Sequence, residues 1–146
     1  MKPEFKKRLE EVKKFLRKQK FVRFAYLFGS HAHGKEGKLS DVDFAFYLDK
    51  KLSKAERHKK ELFLIGEICG IMGTDHVDVV IMNDVGYELN FEIIVGIPIF
   101  QRESRTDLEQ RIISEYLDRR YYDKRYYDTL LDKIIKGGLL WNSKTK

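Results

Sequence analysis

Apolar positions in the first twenty residues fall on one side of a helix. Phe5, Leu9, Val12 and Leu16 recur at spacings of four, three and four, which forms a single stripe, and Phe15 widens it. This pattern predicts a helix over residues 3–20. The period then changes. Residues 21–28, "FVRFAYLF", are aromatic and β-branched and predict a strand, ended by Gly29-Ser30. Ser30 suits the N-cap of a short helical turn over His31–Gly34, and "GKEGKLS" predicts a polar loop. A second strand is expected over 41–48, "DVDFAFYL". A turn over Asp49–Ser53 follows, then a helix to about Cys69 with Leu62, Ile65, Ile68 and Cys69 as its apolar face. "HVDVVIM", residues 76–82, predicts a third strand whose apolar character points to the centre of a sheet. A short helix over 84–95 and a last strand, "GIPIFQR", come next, and Pro98 places that strand at an edge. Residues 106–136 predict helix, with room for a break near 120–124.

Helices thus alternate with strands, which predicts an α/β (α+β) arrangement around a small mixed sheet flanked by helices, with C-terminal helices. The 146 residues suffice for one domain with a real core. We divide it into a core over 1–105 and a C-terminal helical extension of the same domain over 106–146.

Composition narrows the class. With 42% hydrophobic and 36% charged residues, the chain is globular and not disordered. The net charge of +6 suits a ligand or partner bearing phosphates, and equally a solvated surface. One cysteine, Cys69, excludes an intrachain disulfide framework and makes a zinc cluster unexpected. Its apolar helical setting reads as a structural thiol. The N-terminus lacks the apolar core of a signal peptide, and no apolar run is long enough to span a bilayer. The cytoplasm is the expected location, without a membrane partner.

Asp41 and Asp43 carry the candidate chemistry. Alternate strand residues share a face, so the two carboxylates project together, with Cα atoms roughly 7 Å apart. Like charges this close resist ionisation unless something compensates, and Mg²⁺ does so with carboxylate oxygens, waters and substrate phosphates. Two such ions about 3.5–4 Å apart can clamp both oxygens of a phosphoryl transfer. Taken alone, the pair also fits a turn cap at Asp41 and a solvent-facing Asp43. Asp78 interrupts the third strand, where an unpaired buried carboxylate is costly. If that strand lies beside the second, Asp78 completes a three-carboxylate cluster. Asp75 and Asp84 sit in expected turns, where Asp is ordinary. Gly29 allows close approach of the backbone to a phosphate, and Ser30 and the following amides add donors. A phosphate-binding G-x-x-x-x-G-K-[ST] loop and a G-x-G-x-x-G turn are both absent from the sequence.

A strand, Gly29-Ser30, a gap of ten residues, Asp41-x-Asp43 on the next strand and Asp78 on a third together resemble the DNA-polymerase-β-type nucleotidyltransferase superfamily. Within it, the chain resembles the minimal nucleotidyltransferase (MNT) domains, including the MntA-type antitoxins that accompany HEPN-domain toxins. The resemblance extends to about residue 105, and less specifically through "YLDRRYYDKRYYD". It implies a polymerase-β-like fold. It also implies that Gly29 and Ser30 hold the nucleotide triphosphate, with His33 as a further nucleotide-binding residue, and that Asp41, Asp43 and Asp78 bind metal. In addition, Asp78 would activate the acceptor hydroxyl. Many relatives carry Arg or Tyr in the variable places of Gly-Ser-x-Ala-x-Gly, where this chain has His31 and His33.

The implied reaction is Mg²⁺-dependent transfer of AMP from ATP to a tyrosine of a cognate HEPN ribonuclease toxin, with two Mg²⁺ ions and a hetero-oligomer of the two proteins. Alternatives are a non-catalytic, nucleotide-binding antitoxin that masks its toxin, and an RNA-end or small-molecule nucleotidyltransferase. No appended RNA-binding region is recognisable, so nucleic acid is not the expected direct substrate. A zinc site at His31 and His33 lacks a further ligand. His58 reads as exposed, His76 as a partner for Asp75, and Tyr121, Tyr122, Tyr126 and Tyr127 as packing residues or a partner interface. Lys35 and Lys38 flank the proposed site.

Overall fold

The computed structural model describes residues 2–34, 37 and 41–136. Lys35 and Lys38, expected to flank the site, and residues 137–146 lie outside them. Four strands, β1 (Val22–Phe28), β2 (Val42–Leu48), β3 (Val77–Ile81) and β4 (Ile97–Gln101), form one mixed sheet in the order β3-β2-β1-β4. β1 is antiparallel to β2 and β4, while β3 runs parallel to β2. Helices α1 (Pro3–Arg17) and α2 (Lys54–Met72) cover one face, and α3 (Tyr87–Ile94) and α4 (Thr106–Ile135) cover the other.

Alternation along β2 sorts the two cores. Val42, Phe44, Phe46 and Leu48 pack with Leu9, Val12 and Leu16 of α1 and Leu64, Ile68 and Met72 of α2. Ala45, together with Phe24, Tyr26 and Phe28 of β1, meets Ile93 of α3 and Leu108 and Ile112 of α4. Asp43 belongs to this second face by the same period-two rule.

Several expectations change. α2 turns Leu64, Ile68 and Met72 inward, and Leu62 stands 57% exposed. The stretch is apolar nearly all round, so its period alone does not choose the buried side. The third strand lies at an edge rather than centrally: among the described residues β3 pairs only with β2. Residues 82–84 form a 3-10 turn ahead of α3, so the helix expected from 84 begins at Tyr87. α4 runs unbroken through 120–124. Pro98 does mark an edge, since β4 pairs only with β1.

The ends of the elements are secured by polar groups. Ser53 accepts from the Glu56 amide while Glu56 accepts from the Ser53 amide, which satisfies two orphan donors at the start of α2. Gly73 ends α2 in the left-handed region at φ 71°, as a helix C-terminus often requires. Asn83 extends the β2–β3 contact beyond the ladder: it accepts from the Leu48 amide at 2.9 Å and donates to the Leu48 carbonyl at 3.0 Å. Arg102 donates to the carbonyls of Leu16, Gln19 and Val22, tying the end of α1 to the start of β1. Among the described residues no helix is long and apolar enough to cross a membrane.

Candidate active site

The site begins where β1 runs out. Gly29 follows Phe28 with φ +74°, a conformation that a side chain would strain. A methyl group there would also collide with the Asp43 carboxylate. Glycine therefore serves two purposes: it turns the chain, and it leaves the backbone bare beside an acid. The Ala32 amide donates to the Gly29 carbonyl at 3.1 Å and the His33 amide to the Ser30 carbonyl at 3.2 Å, which forms the short turn expected over 31–34. Ser30 is half-buried within it, and His33 is exposed.

Parallel pairing of β2 and β3 sets Asp43 directly opposite Asp78. Both therefore project from the same face of the sheet. Asp41 stands two residues earlier, just before β2 starts at Val42. Asp43 is half-buried, while Asp41 and Asp78 are exposed. Burial raises the Asp43 carboxyl above its ordinary range, and the neighbouring charges of Asp78 and Asp41 push it the same way, against a smaller opposing effect from His31. A hydrogen bond with Asp78 adds to the rise. The sequence argument for Asp78 relied on burial in a central strand. The edge position of β3 removes that reason, and the neighbouring register supplies another.

Two histidines and a phenylalanine complete the surroundings. His31 Nδ1 lies 3.0 Å from the Asp41 carbonyl oxygen, and its ring stacks on Phe5 of α1 with centroids 5.4 Å apart. His76 Nδ1 lies 3.5 Å from Asp41 Oδ1, so its partner is Asp41 and not Asp75. Sequence spacing could not reveal these contacts. His76 reaches Asp41 because β3 lies beside β2, where the Val42 amide donates to the His76 carbonyl at 2.9 Å. A cavity of about 320 Å³ adjoins this corner, with Phe5, Val42 and Met72 as apolar wall and Lys2, Arg8, His31 and His76 as polar rim.

The donor set suits a hard cation in part. Among the described residues no group of three or more His, Cys, Asp or Glu side chains is placed to hold a metal ion. What stands there is an adjacent carboxylate pair, a third carboxylate held toward His76, and no bridging lysine or arginine among the described residues. Mg²⁺ usually keeps waters and substrate phosphates in its shell rather than an all-protein cage. Carboxylate oxygens without a lysine or arginine partner among the described residues suit that requirement.

Other candidates are placed elsewhere. His58 is exposed and lies 3.8 Å from Glu61. Cys69 is half-buried against the α1/α2 core, and burial raises its thiol. Asp84 is engaged by both Nε and Nη2 of Arg57. Tyr121, Tyr122, Tyr126 and Tyr127 do not pack: they stand 60–67% exposed on α4. Cavities of about 300 and 690 Å³ at the other end of the sheet, both lined by Tyr47, Lys50, Leu108 and Arg111, are remote from the aspartate pair.

Comparison with known proteins identifies the family and the fold. Residues 10–105 match the family described as polymerase beta, nucleotidyltransferase. No curated protein matches the chain. Among solved structures, a toxin-antitoxin crystal structure with AMP-PNP is similar at 20% identity and TM-score 0.65, over 84% of this chain and 98% of the other. A tri-AMPylated Shewanella oneidensis HEPN toxin in complex with MNT antitoxin is similar at 18% identity and TM-score 0.62, over 86% and 98%. The structure of a toxin-antitoxin MntA-HepT pair is similar at 15% identity and TM-score 0.58, over 89% and 98%.

Proposed function

Because the chain belongs to the polymerase beta nucleotidyltransferase family, we propose that it is an antitoxin that transfers AMP from ATP to a tyrosine of a cognate HEPN-domain ribonuclease. The observation that carries this reading is the carboxylate pair Asp43–Asp78, in register, with Asp43 against the bare backbone of Gly29 and no lysine or arginine paired with either acid among the described residues. Its likeness to antitoxin complexes that include AMP-PNP and an AMPylated toxin supports the choice of nucleotide and partner.

In this reading Asp41, Asp43 and Asp78 would hold Mg²⁺. When bound, the ion neutralises the triphosphate and polarises the reacting phosphoryl oxygen. The chain's own groups do the rest. The Gly29 turn lets the backbone approach the triphosphate, and the Ser30 hydroxyl and exposed His33 ring supply donors to it. Asp78, exposed on the edge strand, is open to an incoming protein and accepts the phenolic proton. The tyrosine oxygen bonds to the α-phosphorus, the bond from that phosphorus to the β-phosphate oxygen breaks, and pyrophosphate leaves against Ser30. Positioning and charge neutralisation supply the rate.

The test is to mix the chain, ATP, Mg²⁺ and the HEPN partner and to weigh the partner. An added AMP mass, absent with Asp43→Asn, is expected. An unmodified but inhibited partner, protected equally by wild type and Asp43→Asn, would replace transfer with masking. Extension of labelled RNA without the partner would move the acceptor to an RNA end.

A further inference from the structure

We propose that the chain also modifies itself, with the tyrosines of the outer half of α4 as acceptors. The proposal rests on the transfer of AMP to tyrosine argued above. α4 divides in two along its length. Its first half is seated: Leu108 and Ile112 are buried, and Tyr116 stacks on Phe91 at 3.9 Å between centroids and 4° between planes. Around residue 119 the packing gives way to surface contacts, with Arg119 over the Tyr87 ring and the Tyr87 hydroxyl 3.2 Å from Asp123.

Four tyrosines then fall within seven positions, and each is left in water. Tyr121, Tyr122, Tyr126 and Tyr127 are 60%, 67%, 66% and 62% exposed. A tyrosine kept for packing hides its ring and keeps only the hydroxyl wet. These four meet mainly one another, in edge-on pairs with centroids 5.7 and 6.0 Å apart. Successive helix positions turn by about 100°, so the four hydroxyls spread around the arm and one of them faces any approaching surface.

Charge matches the segment to the site. Arg119, Arg120, Lys124 and Arg125 interleave with the tyrosines, and with Asp118, Asp123 and Asp128 they leave the stretch 118–128 a small positive excess of one charge. The surface that performs the transfer presents Asp41, Asp43 and Asp78, and in use it also holds a triphosphate. Opposite charge brings the two together and sets the register of approach. Arg125 donates to the Tyr121 hydroxyl at 3.3 Å, which places a cation beside an acceptor oxygen where the phosphates would lie. The step balances as it does for the partner. The tyrosine Oη bonds to the α-phosphorus of a nucleoside triphosphate, the electrons of the broken phosphorus–oxygen bond leave with pyrophosphate, and the phenolic proton passes to a site carboxylate.

The experiment incubates the purified full chain with ATP and Mg²⁺, with and without the HEPN partner, and reads intact mass and peptide maps of both proteins. The variants are Asp43→Asn and a fourfold Tyr→Phe change at 121, 122, 126 and 127, which keeps the rings and the helix. We expect the chain alone to gain one or more nucleotidyl masses within 121–127. That gain should vanish in both variants, while the fourfold variant still modifies the partner at the wild-type rate. A partner that gains AMP beside a chain that gains none overturns self-modification and leaves the main reading intact, as does a gain that persists in the fourfold variant. No gain on either protein defeats both readings together.

Discussion

The two ends of the β2–β3 pair treat their carboxylates in opposite ways. At the far end, just after β3, Asp84 is gripped by the Arg57 guanidinium through contacts of 2.6–3.1 Å, and that contact holds its carboxyl below the ordinary range. At the near end, Asp43 faces Asp78 with Asp41 close by, and burial and these two charges raise it. Both ends are built from the same two strands. The difference is that an arginine pairs with the acid at one end, while among the described residues no lysine or arginine pairs with the acids at the other. A fold that leaves acids in conflict has an arrangement which an external cation can relieve, and it gives up stability to keep it.

The strongest way to break the contrast is Asp43→Asn. On the proposed reading Asp43 would hold the metal, and losing such a carboxylate removes several kcal/mol of transition-state stabilisation, so the proposed AMP transfer should fall about a thousandfold at about 1.4 kcal/mol per decade. The same substitution ends the repulsion at the near end, so the nucleotide-free variant should melt above wild type. A variant that melts lower would show that Asp43 supports the fold. Mg²⁺ sharpens the contrast from the other side. At a hundredfold excess over its dissociation constant it should stabilise the wild type by about 2.7 kcal/mol, and Asp43→Asn much less, by thermal melts with and without EDTA.

Gly29→Ala places a methyl group against Asp43 in a backbone conformation that disfavours it. The strain alone is about 1 kcal/mol, and the misplaced acid should lower transfer at least about tenfold, measured by initial rate and melting temperature together. At the paired end, Arg57→Ala should lower the melting temperature by a few degrees and leave transfer nearly unchanged. Asp84 also faces Lys54, which retains part of the effect. Because its folded carboxyl is depressed, its stabilisation is present above the ordinary carboxylate range near pH 4 and is lost as pH falls through the folded value. The gap between wild type and Arg57→Ala should therefore narrow in acid. The smallest effect is Ser53→Ala, which removes the cap of α2 beside this end and should cost about 1 kcal/mol, read by denaturant melts with transfer unaffected.

Much of the fold was legible because its signals are local. The α1 stripe, the aromatic strands and the edge mark at Pro98 each follow from a few neighbouring residues. Signals without a period were not legible. The stretch from Leu62 to Met72 is apolar nearly all round, so only packing against α1 and β2 chose Leu64 over Leu62. The valines of β3 read as central, but both of its faces can be apolar while one edge stays open. The α4 tyrosines continue a helical spacing past the point where the body ends, and spacing alone does not say where a body ends.

At the proposed site the division is clearer still. Chain order alone marked the candidate residues: a glycine and a serine closing one strand, two alternate acids at the start of the next, and a third acid on another, because covalent spacing and the pleat decide which neighbours share a face. Tertiary structure decided the rest. The parallel pairing of β3 on β2 set Asp78 opposite Asp43, brought His76 to Asp41, and left the third acid on an open edge. The docking of α1 put Phe5 under His31. Those contacts join residues from 26 to 35 positions apart, and at that separation only the packing of strands and helices determines which groups meet.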